Sequence, residues 1–317
     1  MAPVSHSKPY LAHLSAFAAA LTAALALTGC SGSGPVPAKG PVGSPASPSE
    51  KPSTKPSATP SPKATAEAPS KAPSTAPSTA PSKAPTASAR GPLSGRLVVV
   101  DPGHNTRNRD HTREINKLVD IGTNRKECDT TGTSTNSGYS EAEFTLDVAH
   151  RLRSILEKQG ARVVLTHDGE RPFGPCVDER ARIGNKAKAD AVVSIHADGS
   201  AVGNRGFHVI LPALVRGGAA DTSKIVAPSR DLGTRIAGKF VQATGSAPSN
   251  YVGGRTGLDV RKDLGGLNLS TVPKVFIECG NMRDAADAAL LTDARWRQKA
   301  AAGIADGIGS FLGARRA

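Results

Sequence analysis

Two short apolar runs constrain the fold of this chain more than any other feature. They lie at residues 97–100 and 191–195, and both lack the regular polar alternation of a half-exposed strand. Such runs are typical of interior strands in a parallel sheet that helices cover on both faces. His104 follows the first run after Pro102-Gly103, and His196 ends the second. Because ligands bind beyond the carboxyl ends of strands in open α/β sheets, both histidines are candidate site residues.

Strand and helix patterns alternate along the rest of the chain. Ser140 opens a helix with one apolar face, closed by Gly160, and Ser140 forms a capping box with Glu143. Further strands are predicted at 162–166, 206–211 and 274–279, and further helices at 180–187, 230–244 and 296–312. Segments 105–139 and 245–270 are predicted to be loops, the second with a short strand near 258–260. The alternation predicts a single α/β domain with a mostly parallel, mixed and twisted sheet flanked by helices.

The N-terminal residues 1–30 have the pattern of a secretory signal. Lys8 precedes a small apolar stretch that ends in Leu-Thr-Gly-Cys, and this ending resembles a bacterial lipoprotein signal with lipid on Cys30. The alternatives are a plain secretory peptide and a short membrane anchor, although the stretch is shorter than the ~20 residues that a spanning helix needs. Each interpretation predicts an extracytoplasmic protein. The lipoprotein interpretation predicts anchoring to the outer face of the cytoplasmic membrane.

Residues 31–91 are dominated by Pro, Ser, Ala, Thr and Lys and have almost no large apolar side chains. Such a segment cannot bury enough apolar surface to offset the entropy of ordering, which predicts a disordered linker. Its ends would lie roughly 40–50 Å apart on average. Residues 92–317 then form the predicted globular domain, and about 220 residues suffice for one core.

The chain is basic, with 40 Lys and Arg against 27 Asp and Glu and a formal net charge of +13. Net charge bears on partners rather than on fold. Aromatic residues make up only 3% and no basic recognition helix is visible, so we expect no nucleic-acid partner. An anionic cell envelope is the expected surrounding, and the protein is expected to be a monomer.

Four cysteines have separate predicted roles. Cys30 is assigned to lipid, and Cys128 and Cys176 lie in polar sequence, where an oxidising compartment favours their pairing in a disulfide. Cys279 lies in an apolar strand and is predicted to be a buried free thiol. A zinc-thiolate site is the alternative, but no C-x-x-C spacing supports it.

Strand ends and a helix start deliver four polar side chains: His104, Glu141, His196 and Glu278. Glu143 has a structural role in the capping box, whereas only the helix dipole gives Glu141 one. Two imidazoles and one carboxylate are the ligand set of a catalytic zinc, and a second carboxylate would suit a general base. No local H-E-x-x-H motif is present, so this set is a hypothesis from placement. His208, in a predicted strand, receives no role.

Four motifs carry a family resemblance: V-D-P-G-H at 100–104, S-E at 140–141, S-I-H-A-D at 194–198 and V-F-I-E-C-G-N at 275–281. In order, they resemble the motifs of the zinc-dependent N-acetylmuramoyl-L-alanine amidases of the type-3 family. The resemblance implies hydrolysis of the amide bond between N-acetylmuramic acid and L-alanine of the peptidoglycan stem peptide. It also implies three Zn²⁺ ligands, His104, Glu141 and His196. The catalytic base that it implies is Glu278.

Other residues refine the resemblance. Asp101 is expected to fix the turn that aims His104, and Arg180 with Asn185 resembles a family pair with a structural or rim role. The long link 105–139 and the ending at 279–282 resemble an actinobacterial branch with a disulfide-pinned loop. Two alternatives stay open, a non-catalytic peptidoglycan-binding module and a zinc peptidase that cuts within the stem peptide. The presence of all four candidate residues argues against the first and does not separate the second.

Overall fold

The computed structural model describes residues 91–315. In chain order, the strands are β1 (Leu97–Pro102), β2 (Leu118–Asp120), β3 (Arg125–Glu127), β4 (Arg162–Leu165), β5 (Ala191–Asp198), β6 (His208–Pro212), β7 (Arg216–Gly217), β8 (Ala220–Asp221), β9 (Leu258–Arg261) and β10 (Lys274–Asn281). The α-helices are α1 (Thr112–Ile115), α2 (Glu141–Lys158), α3 (Val177–Ala187), α4 (Val226–Thr244), α5 (Gly265–Asn268), α6 (Ala285–Thr292) and α7 (Ala294–Ala314).

Six strands form the main sheet, in the order β4-β1-β5-β10-β6-β9. β1 runs parallel to β4 and β5, and β5 runs parallel to β10. β6 is antiparallel to β10 and parallel to β9. This arrangement confirms the predicted α/β class with a mostly parallel, mixed sheet. Because β1, β5 and β10 are parallel neighbours, their carboxyl ends share one edge of the sheet.

Helices cover both faces of the sheet, which explains why its central strands lack polar alternation. Val98 and Val100 belong to the core cluster that β1 shares with residues of α2, α4 and α7. Val99 points to the other face, where it packs with Val192 and with Ile183 of α3. Successive side chains of a strand point to opposite faces, so a run of valines is apolar on both.

Helix α2 begins where its capping sequence predicts. The Ser140 hydroxyl accepts the backbone N–H of Glu143, and the Glu143 carboxylate accepts the backbone N–H of Ser140. Glu143 is therefore used at the helix terminus. Glu141, the first helical residue, is buried and free to point toward the sheet edge.

The segment 105–139 is not the surface loop that its polar composition predicted. It contains a 3-10 turn, helix α1 and the β2-β3 hairpin, and Ile115, Ile121 and Cys128 are buried in it. The backbone N–H of Asp129 donates to the Ile115 carbonyl at 3.1 Å and joins the hairpin to α1. Isolated apolar residues of this kind leave no periodic pattern, which is why the prediction was wrong.

The predicted disulfide between Cys128 and Cys176 is confirmed. It joins the end of the hairpin to the start of α3, and the backbone N–H of Val177 donates to the Cys128 carbonyl at 2.7 Å beside it. Cys279 is a buried free thiol, as predicted.

Other features of the fold also differ from the predictions. Helix α4 begins at Val226 rather than Arg230, and α6 has no counterpart among the predicted elements. The segment 245–270 contains the predicted strand as β9 but also α5, so it is not a single loop. Leu267 of α5 is completely buried, and packing rather than helix propensity holds this glycine-rich turn.

Within residues 91–315, no helix is long and apolar enough to cross a membrane. The predicted signal with Cys30, and all but the last residue of the predicted linker 31–91, lie outside the described residues. Both stay predictions.

Candidate active site

Three of the four predicted site residues face one another at the carboxyl edge of the sheet. His104 follows β1, His196 lies near the end of β5, and Glu141 begins α2. The Glu141 carboxylate lies 3.2 Å from His104 Nε2 through one oxygen and 2.9 Å from His196 Nδ1 through the other. One donor atom of each residue falls within 4.8 Å of the others, so the group could hold a metal ion. We name His104, Glu141 and His196 the His-Glu-His group.

Two glycines and one unusual backbone conformation make room for this group. His104 has φ 61°, in the left-handed region that only a few per cent of non-glycine residues adopt, although Asn, Asp and His do so more often than others. A Cβ atom on Gly103 would lie 2.3 Å from the His196 ring. A Cβ atom on Gly132, itself at φ 73°, would lie 2.7 Å from the His104 ring and 2.8 Å from a Glu141 oxygen. These positions therefore require glycine for the imidazoles and the carboxylate to approach.

Glu278 occupies the strand next to the His-Glu-His group. In β10 it lies in register with His196 of β5 on one side and with His208 of β6 on the other. Its Oε2 is buried and has no hydrogen-bond partner among the described residues. Burial raises the pKa of Glu278 well above its usual value, and the carboxylates of Glu141 and Asp198 raise it further.

A second layer of residues orients His104, and its main member, Asp129, was not predicted from the sequence. His104 Nδ1 lies 3.1 Å from the Thr130 carbonyl and 3.4 Å from a carboxylate oxygen of Asp129. Arg180 donates to the other Asp129 oxygen at 2.9 Å and to the His104 carbonyl at 2.9 Å. The signal for Asp129 was its position directly after a disulfide cysteine, in a segment interpreted as a loop.

Charge governs the protonation of this layer. Burial alone would lower the pKa of His104, but the carboxylates of Glu141 and Asp129 raise it well above the usual value. Burial likewise opposes ionisation of Asp129, yet Arg180 and His104 hold its pKa well below the usual range. The Glu141 and Asp129 carboxylates, whose pKa values are both lowered, are therefore ionised and able to attract a cation.

Asp101, which was expected to fix the turn that aims His104, reaches that turn through Arg180. It is buried, and its carboxylate accepts hydrogen bonds from Ser194 Oγ at 2.5 Å, Thr166 Oγ1 at 2.6 Å, Arg180 Nη1 at 2.8 Å and Lys274 Nζ at 3.1 Å. The turn itself is held by Arg180, which also donates to the Pro102 carbonyl at 2.5 Å. The hydrogen bond with Arg180 is therefore the side-chain contact that links Asp101 to the turn before His104.

The His-Glu-His group and Glu278 line one cavity of about 430 Å³. Phe276 forms part of its wall and stacks on the His196 ring with centroids 5.3 Å apart. Asp198 lines it as well and accepts a hydrogen bond from Tyr251 Oη at 2.7 Å. Two imidazoles, a carboxylate and a second carboxylate oxygen without a partner fit a zinc ion that activates a nucleophile.

An α/β domain with these side chains gathered at the carboxyl edge of its sheet fits the hydrolase class, and comparisons with known proteins support this class. Residues 98–310 match the family model described as N-acetylmuramoyl-L-alanine amidase. A curated relative, the N-acetylmuramoyl-L-alanine amidase Rv3717 of Mycobacterium tuberculosis, is 40% identical over 221 residues, which span 69% of this chain and 88% of the relative.

Two solved structures agree with this match. The amidase Ami1 of Mycobacterium smegmatis has a TM-score of 0.64 and 38% identity, with 70% of this chain and 99% of that chain covered. The apo form of Ami1 of Mycobacterium abscessus has a TM-score of 0.62 and 39% identity, with coverages of 69% and 100%. The chain belongs to the N-acetylmuramoyl-L-alanine amidase family. The prediction of an amide hydrolase of peptidoglycan is thereby confirmed, while the roles of individual site residues stay predictions.

Proposed function

We propose that the protein is a zinc-dependent N-acetylmuramoyl-L-alanine amidase. His104, Glu141 and His196 hold Zn²⁺ in this proposal, and Glu278 is the general base. The observation that carries it is the set of donor atoms within 4.8 Å beside a buried Glu278 oxygen without a partner. Imidazole ligands favour zinc over magnesium and calcium, which prefer oxygen ligands.

The chemistry follows from the positions of these groups. Zinc in such a site would act as a Lewis acid that polarises a carbonyl group and lowers the pKa of a bound water molecule. Glu278 takes the proton of the attacking water and gives it to the leaving amine of L-alanine. The C–N bond breaks, which leaves a carboxylate on the lactyl group and a free amine on the stem peptide. The raised pKa of Glu278 makes its ionised form a stronger base than an exposed glutamate.

The surrounding residues support this assignment. The phenyl ring of Phe276 fixes the plane of the His196 imidazole, and Gly103 lets that ring approach the first strand. Arg261 lines the same cavity and is held in a bidentate pair with Asp263 at 2.9 and 2.6 Å. A fixed guanidinium on this wall suits an acidic substrate such as a stem peptide.

Cell wall amidases act outside the cytoplasm. We further propose that this protein is held at the membrane by a lipid anchor. Lipid on Cys30 would hold the chain at the outer face of the cytoplasmic membrane, and the linker 31–91 would let a monomeric domain reach peptidoglycan. The sequence pattern at 27–30 supports this part of the proposal.

Digestion of purified peptidoglycan followed by mass spectrometry of the muropeptides tests the proposed reaction. The protein should release intact stem peptides, and a chelator should stop the release. The variant Glu278→Gln should keep its zinc and lose hydrolysis by about 10²–10⁴-fold, since it cannot accept a proton. Glu157→Gln, an exposed glutamate on α2, is the matched control and should retain activity.

Three results would contradict the proposal in different ways. Shortened stem peptides would indicate a peptidase, and unchanged material would indicate a binding module. A Glu278→Gln variant with full activity would exclude Glu278 as the base.

A further inference from the structure

His208 is a buried histidine outside the His-Glu-His group, and it lies beside the proposed base. In β6 it is directly opposite Glu278 of the antiparallel neighbour β10. On the other side of Glu278, in the same row of the sheet, lies His196 of β5. Directly opposite residues of an antiparallel pair share one face of the sheet, with Cβ atoms about 4.5–5.5 Å apart. The imidazole of His208 and the carboxylate of Glu278 are therefore neighbours.

Each of these two side chains has a buried polar atom without a partner. Glu278 Oε2 and His208 Nδ1 make no hydrogen bond within residues 91–315. The other buried side-chain atoms without a partner in this range lie outside the main sheet, on Asp178, Ser246, Asn268 and Trp296. A buried polar atom without a partner is costly. One hydrogen bond between His208 and Glu278, direct or through a single buried water, would satisfy both atoms.

The chemistry of the two atoms is complementary. Burial lowers the pKa of His208, and Arg261 also lowers it, against Asp198 and Asp259, which raise it. The ring is therefore neutral at neutral pH, and a neutral imidazole has one N–H group, which either nitrogen can carry. A carboxylate oxygen only accepts. His208 can thus donate from Nδ1 to Glu278 Oε2.

Tyr251 packs against the ring of His208. The two rings meet edge-on, with centroids 5.9 Å apart and an interplanar angle of 88°. Tyr251 is itself held in place, because its Oη donates to Asp198 at 2.7 Å. The His208 imidazole is therefore confined between the tyrosine and the sheet, which suits a residue that orients its neighbour.

We propose that His208 is a positioning residue for the base, with its Nδ1–H held on Glu278 Oε2. This inference rests on the proposed function, in which Glu278 takes the proton of the attacking water. Glu278 lines the catalytic cavity while its Oε2 is buried, so Oε1 is the oxygen left for that water. The proton moves from the water oxygen to Oε1, and His208 keeps its own proton. The imidazole thus fixes the plane in which the carboxylate faces the water.

Two substitutions separate this role from packing. In His208→Leu a methyl group takes the place of Nδ1, whereas in His208→Asn an amide nitrogen at the same position can still donate. The full chain with zinc is given soluble muropeptides, and the released stem peptide yields kcat and KM. His208→Leu should lose kcat by about 10–100-fold, as expected for one hydrogen bond to a charged group, at an unchanged KM. His208→Asn should retain most of kcat, and the control His150→Leu, at a partly exposed position, should retain all of it.

A double-mutant cycle tests whether His208 acts through Glu278. Glu278→Gln/His208→Leu should be no slower than Glu278→Gln alone, because the group that His208 orients has already lost its function. Elemental analysis should find unchanged zinc in each variant. Full kcat in His208→Leu, a loss in His208→Asn as large as in His208→Leu, or additive losses in the cycle would overturn the inference and leave the proposed function intact. Full activity of Glu278→Gln would instead overturn the proposed function.

A second measurement needs no turnover. In protein labelled with ¹⁵N-histidine, the resonances that vanish in a His208 variant belong to His208. They should show a proton on Nδ1, and the Nδ1 resonance should shift in Glu278→Gln, since the acceptor has changed. A proton on Nε2 alone, or an Nδ1 resonance that does not respond to Glu278→Gln, would overturn the inference.

Discussion

One arginine fixes both the backbone and the ring of His104. Arg180 donates to the His104 carbonyl and to Asp129, whose other oxygen faces His104 Nδ1. A metal-binding histidine is normally oriented in this way, by a carboxylate or carbonyl at the nitrogen that does not bind the metal. The arrangement leaves His104 Nε2 directed at Glu141.

We expect His104→Ala to purify without zinc. The change removes one of three proposed ligands and leaves Glu141 and His196 as an incomplete set. Elemental analysis of the purified protein measures the metal, and circular dichroism checks the fold. His150→Ala, a change at a partly exposed histidine on α2, should keep its zinc. One zinc per chain in His104→Ala would show that the ligand set is wrong.

Asp101 is the negative charge that neutralises two buried cations, Arg180 and Lys274. Burial alone would raise its pKa, but Lys274 and Arg180, with the hydroxyls of Ser194 and Thr166, hold the pKa well below the usual 3.8. The stabilisation is therefore present above pH 3.8 and is lost as the pH falls toward the lower pKa of the folded state.

We expect Asp101→Asn to lower the free energy of unfolding by about 3–5 kcal/mol at neutral pH, since the buried Lys274 ammonium would lose its counter-charge. Urea unfolding followed from about pH 5 to about pH 2, across the unfolded pKa of Asp101, should also show a shallower acid dependence in the variant. Asp306→Asn, at an exposed position on α7, is the control. Equal stability of Asp101→Asn and the unchanged protein would contradict the charge network.

At the scale of elements, the sequence predicted those parts of the site that follow periodic patterns or caps. The apolar runs of β1, β5 and β10 and the capping box of α2 predicted where His104, His196, Glu278 and Glu141 emerge. Asp129 was missed because its position depends on a hairpin that single buried residues and a disulfide hold. The sequence predicted a mixed sheet but did not show that β6 is the strand that runs antiparallel to β10. Strand pairing is a tertiary property that no local pattern encodes.

The disulfide between Cys128 and Cys176 joins the β2-β3 hairpin to helix α3. It closes a loop with a sequence separation of 48, for which the chain-entropy model gives about 4 kcal/mol of stabilisation. We expect Cys128→Ser/Cys176→Ser to lose roughly this amount in urea unfolding. Zinc affinity should fall too, because Asp129 follows Cys128 and Arg180 lies in α3, which begins after Cys176. The unchanged protein under reductant should behave like the variant, and an unaltered unfolding midpoint would contradict this role.

At the scale of the whole molecule, membrane attachment and catalysis are expected to be separable. The proposed active site is built from β1, β5, β10 and α2, all within residues 91–315. The proposed anchor at Cys30 lies at least 60 residues before β1 by position in the sequence, so its loss would not remove any residue of the site. The localisation of the protein would then depend on the lipid, whereas its catalytic activity would not.

We expect Cys30→Ala expressed in a bacterial host to move the protein from the membrane fraction to the soluble fraction, because no lipid can be attached at residue 30. Metabolic labelling with a radioactive fatty acid, followed by cell fractionation, measures the change. The purified variant should digest peptidoglycan at the unchanged rate, since the site residues are intact. Ser33→Ala, a nearby change that leaves the cysteine in place, should label and fractionate like the unchanged protein. Labelled Cys30→Ala protein in the membrane fraction would show that the anchor lies elsewhere.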